Sequence, residues 1–195
     1  MMRAEPSDAS PTNVGVFEEQ IQKKVVAWLK DFVVGLNLCP FARPITNSDA
    51  LRLAVCGASD EEGVAEAVLN EFSLIQNVSE SEVATTLIVF PRALLRFDEY
   101  LAFLDGAEQL LHEMDLVGIL QLASFHPDYQ FAGEPMDAVS HYTNRAPFPM
   151  IHLLREDMVT SALEAFPDPE QIPARNIQTL EALGLERIQE MLTAL

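Results

Sequence analysis

"LVGILQLASFHPD", residues 116–128, is apolar at almost every position until a histidine, a proline and an aspartate close it. A strand with one wet face alternates apolar and polar side chains, whereas unbroken hydrophobicity means cover on both faces. Residues 116–125 therefore read as a central strand of a helix-covered sheet. Three further strands flank it in the chain. "ATTLIVFP" (84–91) is rich in β-branched residues and stopped by Pro91. "LRLAVC" (51–56) is shorter and closed by Gly57, and "PMIHLLR" (149–155) is polar only at His152 and Arg155.

Between these runs the apolar period changes to that of a helix. Phe17, Ile21, Val25, Leu29, Phe32 and Leu36 predict a helix over 17–36, with Glu19 and Lys23 on its other face. Gly35 and Pro40 end it, which leaves "NLCPFARP" as loop or extended chain. A second helix follows the first strand, with Ser59 and Glu62 as a capping box and Val64, Val68, Phe72 and Ile75 as its buried stripe. A third spans 97–114. After the fourth strand come a stripe of Val159, Ala162, Leu163 and Phe166 and then two helices broken at Gly184.

Strands alternating with helices predict an α/β fold: a single domain with a four-stranded, largely parallel sheet covered by helices, plus a C-terminal helical section. An α+β arrangement with antiparallel neighbours is the alternative, because the link from Phe125 to Pro149 is long enough for either connection. Residues 1–13, rich in Pro, Ser and Asp, read as a flexible tail, and 14–195 as the globular domain.

The chain has 195 residues, with 30 acidic against 12 basic side chains and a formal charge of −18. That balance repels phosphate backbones and anionic bilayers, so neither nucleic acid nor membrane is an expected partner. No apolar run reaches the length of about 20 residues that crosses a bilayer. Two cysteines in unlike contexts, Cys39 and Cys56, do not make a disulfide framework, and a reducing cytoplasm is expected. The chain holds no Walker-type loop, G-x-G-x-x-G, H-E-x-x-H or paired C-x-x-C, so no cofactor is named and the oligomeric state stays open.

A parallel sheet places every strand's C-terminal end on one edge, where open α/β sheets bind ligands. The residues leaving those ends are Cys56 and Gly57, Pro91 and Arg92, His126 and Asp128, and Arg155 and Glu156. A carboxylate at Asp128 that fixes the His126 tautomer would make a general acid or base; a rim histidine bonded to backbone is the plainer reading. If strands 116–125 and 149–155 are neighbours, the parity of Leu120, Leu122, Ser124 and His126 lets His126 and His152 face one volume. Arg145, Arg155, Arg43 and Arg92 are scarce cations placed in loops and at strand ends, suited to carboxylate or phosphate. Cys39 becomes a nucleophile only with a histidine beside it, and is otherwise an inert buried thiol. His126, Asp128, Glu134, His141, His152 and Glu156 would supply ligands for a metal, although without a metal-binding motif.

Four separated stretches, "LNLCPFA" (36–42), "FHPDYQFAG" (125–133), "NRAPFPMIHLLRE" (144–156) and "IPARNIQTLEALG" (172–184), together resemble a bacterial family catalogued as domain of unknown function 1415. The resemblance implies that the segments carrying Cys39, His126, Asp128, Asn144, Arg145, His152, Arg155 and Glu156 are a shared signature. Members commonly have Ser and Tyr where this chain has Ala146 and Phe148, which removes any hydroxyl role there. The expected function is a cytosolic enzyme acting on a small anionic molecule. In it His126 and Asp128 handle protons, His152 assists, Cys39 is a candidate nucleophile, and Arg145, Arg155, Asn144 and Glu156 hold the substrate. The alternatives are a metal-binding protein using His126, Asp128 and His152, and a non-catalytic adaptor.

Overall fold

β2 (Thr85–Val89) is buried at every residue because it lies inside the sheet with helices on both sides. A computed structural model describes residues 11–195, and its one sheet has the order β1-β2-β4-β3. β1 (Leu51–Val55) runs parallel to β2. β4 (Met150–Arg155) is antiparallel to β2 on one side and to β3 (Leu120–Phe125) on the other. The sheet is therefore mixed, and three strands point one way.

Two expectations change here. β3 is an edge strand rather than a central one, because β4 occupies the slot between β2 and β3. The cause lies in the link between them. It contains only a 3-10 turn, Val139–Thr143, instead of the crossover helix that would carry the chain back for a parallel strand. The chain re-enters the sheet from the edge at which β3 ended. The apolar run is also less strand than it looked: Gly118 adopts a φ of 81°, and Val117 and Ile119 are 63% and 52% exposed in the turn before β3.

One face of the sheet is covered by α3 (Glu61–Asn77) and α4 (Phe97–Glu113). Val64, Val68, Phe72 and Tyr100 pack there against Ile88, Ile151 and Leu153. The other face is covered by α1 (Pro11–Ala27), its π-helical continuation Trp28–Val34, α6 (Ile172–Leu183) and α7 (Leu185–Thr193). The wider π turn brings Trp28, Leu29, Phe32 and Val33 inward together, against Leu87, Val89 and Met150. Each such side chain contributes about 1.5–3 kcal/mol on burial. Both apolar clusters share the one sheet, which makes a single α/β domain.

The remaining differences are local. A short α2 (Ala42–Thr46) forms where loop was expected. Asp60, not Ser59, caps α3, its carboxylate accepting from the Gly63 amide at 2.9 Å. α5 (Glu156–Ala165) follows β4 directly, and Gly184, at φ 81°, separates α6 from α7 as the sequence indicates. Residues 11–13, expected in the tail, open α1, while 1–10 lie outside the described residues. In β2 the Thr86 hydroxyl is buried without a hydrogen-bond partner. No helix among the described residues is long and apolar enough to cross a membrane.

Candidate functional site

The direction of β4 divides the expected rim in two. β1, β2 and β3 end at one edge, the upper one, where β4 begins; Arg155 and Glu156 lie at the opposite edge, where Arg155 pairs with Leu120. Arg155 is not free to anchor a substrate. Its Nε donates to the Val83 carbonyl at 3.1 Å, and one terminal nitrogen donates to those of Ile75 and Val78 at 2.7 and 2.8 Å. These are carbonyls at and beside the C-terminal end of α3, which the helix itself leaves unbonded and which a cation suits. Glu156 opens α5, its amide donating to the Ile119 carbonyl at 3.0 Å.

The two histidines fall on opposite sides of the sheet. β3 and β4 are neighbours, but the register sets Ala123, not Leu122 or Ser124, beside His152. His152 thus faces the α1 side, while His126 packs against Phe97 and Tyr100 of α4 with ring centroids 5.2 Å apart. His152 Nε2 lies 2.7 Å from Thr85 Oγ1. That hydroxyl has one proton and gives it to the Leu153 carbonyl, so Nε2–H of His152 is the donor to the threonine. Desolvation pulls the His152 pKa down to about 4.

His126 is fully buried and both ring nitrogens are committed to backbone. Nδ1 accepts from the Asp128 amide at 2.9 Å, which leaves Nε2–H to donate to the Leu94 carbonyl at 3.1 Å. Asp128 therefore acts through its main chain in a turn around Pro127, not through its carboxylate, and the expected His–carboxylate pair is corrected to a His–amide pair. Burial pushes the imidazole below the ordinary histidine value, against the opposing pull of the Leu94 carbonyl and the Asp128 charge. Leu94 itself has a φ of 56°, an unusual conformation for a bulky residue that costs about 1–3 kcal/mol. His126 holds the carbonyl of that residue and so ties the β2–α4 loop to the end of β3.

His141 repeats the pattern: Nδ1 accepts from the Phe131 amide at 3.1 Å and Nε2 donates to the Pro135 carbonyl at 2.7 Å. Two histidines thus pin the long excursion from residue 126 to 149. With these nitrogens spent, the metal set named from sequence does not assemble. Among the described residues no three His, Cys, Asp or Glu side chains gather to hold an ion. Cys39 lies in the loop after the π turn, where Asn176 Nδ2 of α6 donates to the neighbouring Leu38 carbonyl at 2.7 Å. Burial pushes its thiol up, against the pull of the Phe41 and Ala42 amides, which disfavours the nucleophilic thiolate.

What the fold does bring together is Asp128, Asn144 and Arg145 around the upper end of β3. Asn144 stitches the excursion to the strand: its carbonyl accepts from the His126 amide at 3.2 Å and its Nδ2 donates to the Ser124 carbonyl at 3.0 Å. Arg145 is held at three points. Its carbonyl accepts from Trp28 Nε1 at 3.2 Å, its Nε donates to the Tyr129 carbonyl at 3.2 Å, and its guanidinium lies 4.3 Å over the Tyr142 ring. Among the described residues no carboxylate is within salt-bridge distance of it, although the chain carries 30 acids.

Sequence reasoning passed over the aromatic frame of this edge. Tyr100, Tyr129 and Tyr142 are all the tyrosines of the chain and Trp28 is its one tryptophan. Tyr100 OH donates to the Met150 carbonyl at 2.8 Å and accepts from the Phe125 amide at 3.2 Å, joining the end of β3 to the start of β4. Tyr129 OH lies 3.2 Å from Ser124 Oγ, and Trp28 stands edge-on to Phe125 at 5.2 Å. Trp28 also opens the π turn, an irregularity frequent at functional sites. The signal was the rarity of these residues beside loop arginine and asparagine.

A search of curated proteins and one of solved structures find no match. A family model does match, over residues 20–190, nearly the whole described chain and all four signature stretches. This chain belongs to the family described as protein of unknown function (DUF1415).

Proposed function

We propose that this protein is a cytosolic protein that captures a small anionic molecule at the upper edge of its sheet, with Arg145 as the anchor. The observation that carries the reading is an immobilised, half-buried guanidinium with only its Nε committed, in a chain of charge −18. A stacked, pre-positioned arginine loses little freedom on binding and offers a planar fork to carboxylate or phosphate. Tyr129 stands next to it, its carbonyl accepting from Nε of Arg145. The unpaired thiols Cys39 and Cys56 fit a reducing compartment, and the acidic surface disfavours nucleic acid. Acid–base catalysis by His126 lacks support, since neither ring nitrogen is available to a substrate.

Thermal melts with added inorganic phosphate and citrate, at matched ionic strength, test the reading. A ligand at a hundredfold excess over its Kd adds about 2.7 kcal/mol to stability. The native chain and an Arg43→Gln control are expected to melt higher with one of these anions, and Arg145→Gln is expected to show no rise. An equal rise in Arg145→Gln removes the anchor from the account.

A further inference from the structure

The signature stretches 36–42 and 172–184, which the rim leaves unused, meet on the α1 side of the sheet. Between them lies a groove of about 410 Å³, bounded by Leu36, Asn37 and Pro40 on one wall and by α6 on the other. Its size falls in the range of small-molecule sites, about 300–1,000 Å³. Three other grooves of the surface each carry carboxylates, among them Glu18 and Glu71, Asp105 and Glu108, and Glu186 and Glu190. The groove along α6 has no acidic lining residue and one cation, Arg175. In a chain of charge −18 that local exception favours an anion.

The hydrogen-bonding inventory narrows the ligand. Arg175 rests 5.3 Å over the Phe166 ring, and among the described residues no carboxylate is within salt-bridge distance of it. Asn176 spends Nδ2 on the Leu38 carbonyl and keeps Oδ1 as an acceptor. Thr179 donates its hydroxyl proton to the Arg175 carbonyl at 2.9 Å and keeps its lone pairs. Asn37, held at a φ of 55°, and Gln178 add two amides. One positive charge matches one negative charge, as in a carboxylate; a phosphate dianion would call for a second cation. The amides and the hydroxyl match a neutral amide, and no carboxylate in the lining offers an ammonium group a counter-charge.

We infer that this groove binds a carboxylate carried beside a neutral amide, the chemistry of an N-acylated amino acid, at a site that shares no lining residue with Arg145. The probe is N-acetylglycine, titrated into the full ¹⁵N-labelled chain beside its neutral analogue N-acetylglycinamide. Saturable shifts are expected at Asn37, Asn176, Gln178 and Thr179 with the carboxylate and not with the amide. Arg175→Gln and Gln178→Glu, both at exposed positions, are each expected to weaken binding by about tenfold or more. Their otherwise unchanged spectra would confirm that they fold. Arg145→Gln is expected to bind the probe as the native chain does, so this site and the rim stand or fall separately. Three results overturn the assignment: no saturable shift, equal response to the neutral amide, or loss of binding in Arg145→Gln with retention in Arg175→Gln.

Discussion

Replacing His126 with alanine strips a partner from the Asp128 amide and another from the Leu94 carbonyl, and opens a void beneath Phe97 and Tyr100. The expected cost is about 3 kcal/mol in urea denaturation. Asp128→Asn keeps the amide and is expected to change stability by less than about 0.5 kcal/mol. A comparable cost in both variants would mean that the carboxylate carries the turn after all. His152 gives a second test at this scale. Its imidazole titrates near the ordinary 6.5 when unfolded and near 4 when folded, so the unfolded chain takes up the proton first as pH falls. Its stabilisation is whole above about pH 6.5 and declines towards about pH 4, by up to about 3 kcal/mol. His126, also lowered, acts in the same direction. Urea melts at about pH 7 and about pH 5 are expected to show a smaller acid loss in His152→Gln than in the native chain, by about 1–2 kcal/mol. Equal losses would exclude His152 as the source.

Elements follow from local patterning wherever the pattern has room to repeat. The stripe of Val64, Val68, Phe72 and Ile75 made α3 readable, and the β-branched run made β2 readable. Cap and turn details did not survive as well: Asp60 and Ser59 are both good N-caps, and only the entry angle of the chain chooses between them. Strand direction was out of reach because it is set by the excursion after β3, whose 3-10 turn carries no strong period. With direction went one of the four strand ends of the expected rim, and Arg155 passed from substrate anchor to helix cap. Arg155→Ala is expected to cost about 2 kcal/mol and to speed hydrogen exchange at the C-terminal turn of α3. Arg155→Lys is expected to restore only part of this, since an ammonium cannot span the carbonyls of Ile75, Val78 and Val83. Unchanged exchange in that turn would show that the cap is idle.

For the whole molecule, the order β1-β2-β4-β3 places two strands inside and two at the edges. Native-state hydrogen exchange is expected to be slowest in Thr85–Val89 and Met150–Arg155, with both neighbours hydrogen-bonded, and faster in the outward amides of β1 and β3. Faster exchange in β4 than in β3 would contradict the strand order. The layered α/β architecture was legible because amphipathic helices and apolar strands must bury their faces against each other. The aromatic frame around Arg145 was not, because Trp28 and Tyr142 are far apart in the chain and only the fold brings both to Arg145, Trp28 at its carbonyl and Tyr142 against its guanidinium.

The insertion of β4 between β2 and β3 also fixes an order of events for a growing chain. When β3 leaves the ribosome its place beside β4 does not yet exist, and β2 holds one edge open from the time it forms. Only residues 150–155 close it, by pairing Thr85 with Leu154 and Leu120 with Arg155 in a single docking step. Helices α6 and α7, which seal the face carrying Leu87 and Val89, emerge later still. Synthesis therefore passes through a long interval in which the most deeply buried strand of the finished protein has an unpaired edge and an uncovered face. That is the interval in which a chaperone has the most to bind.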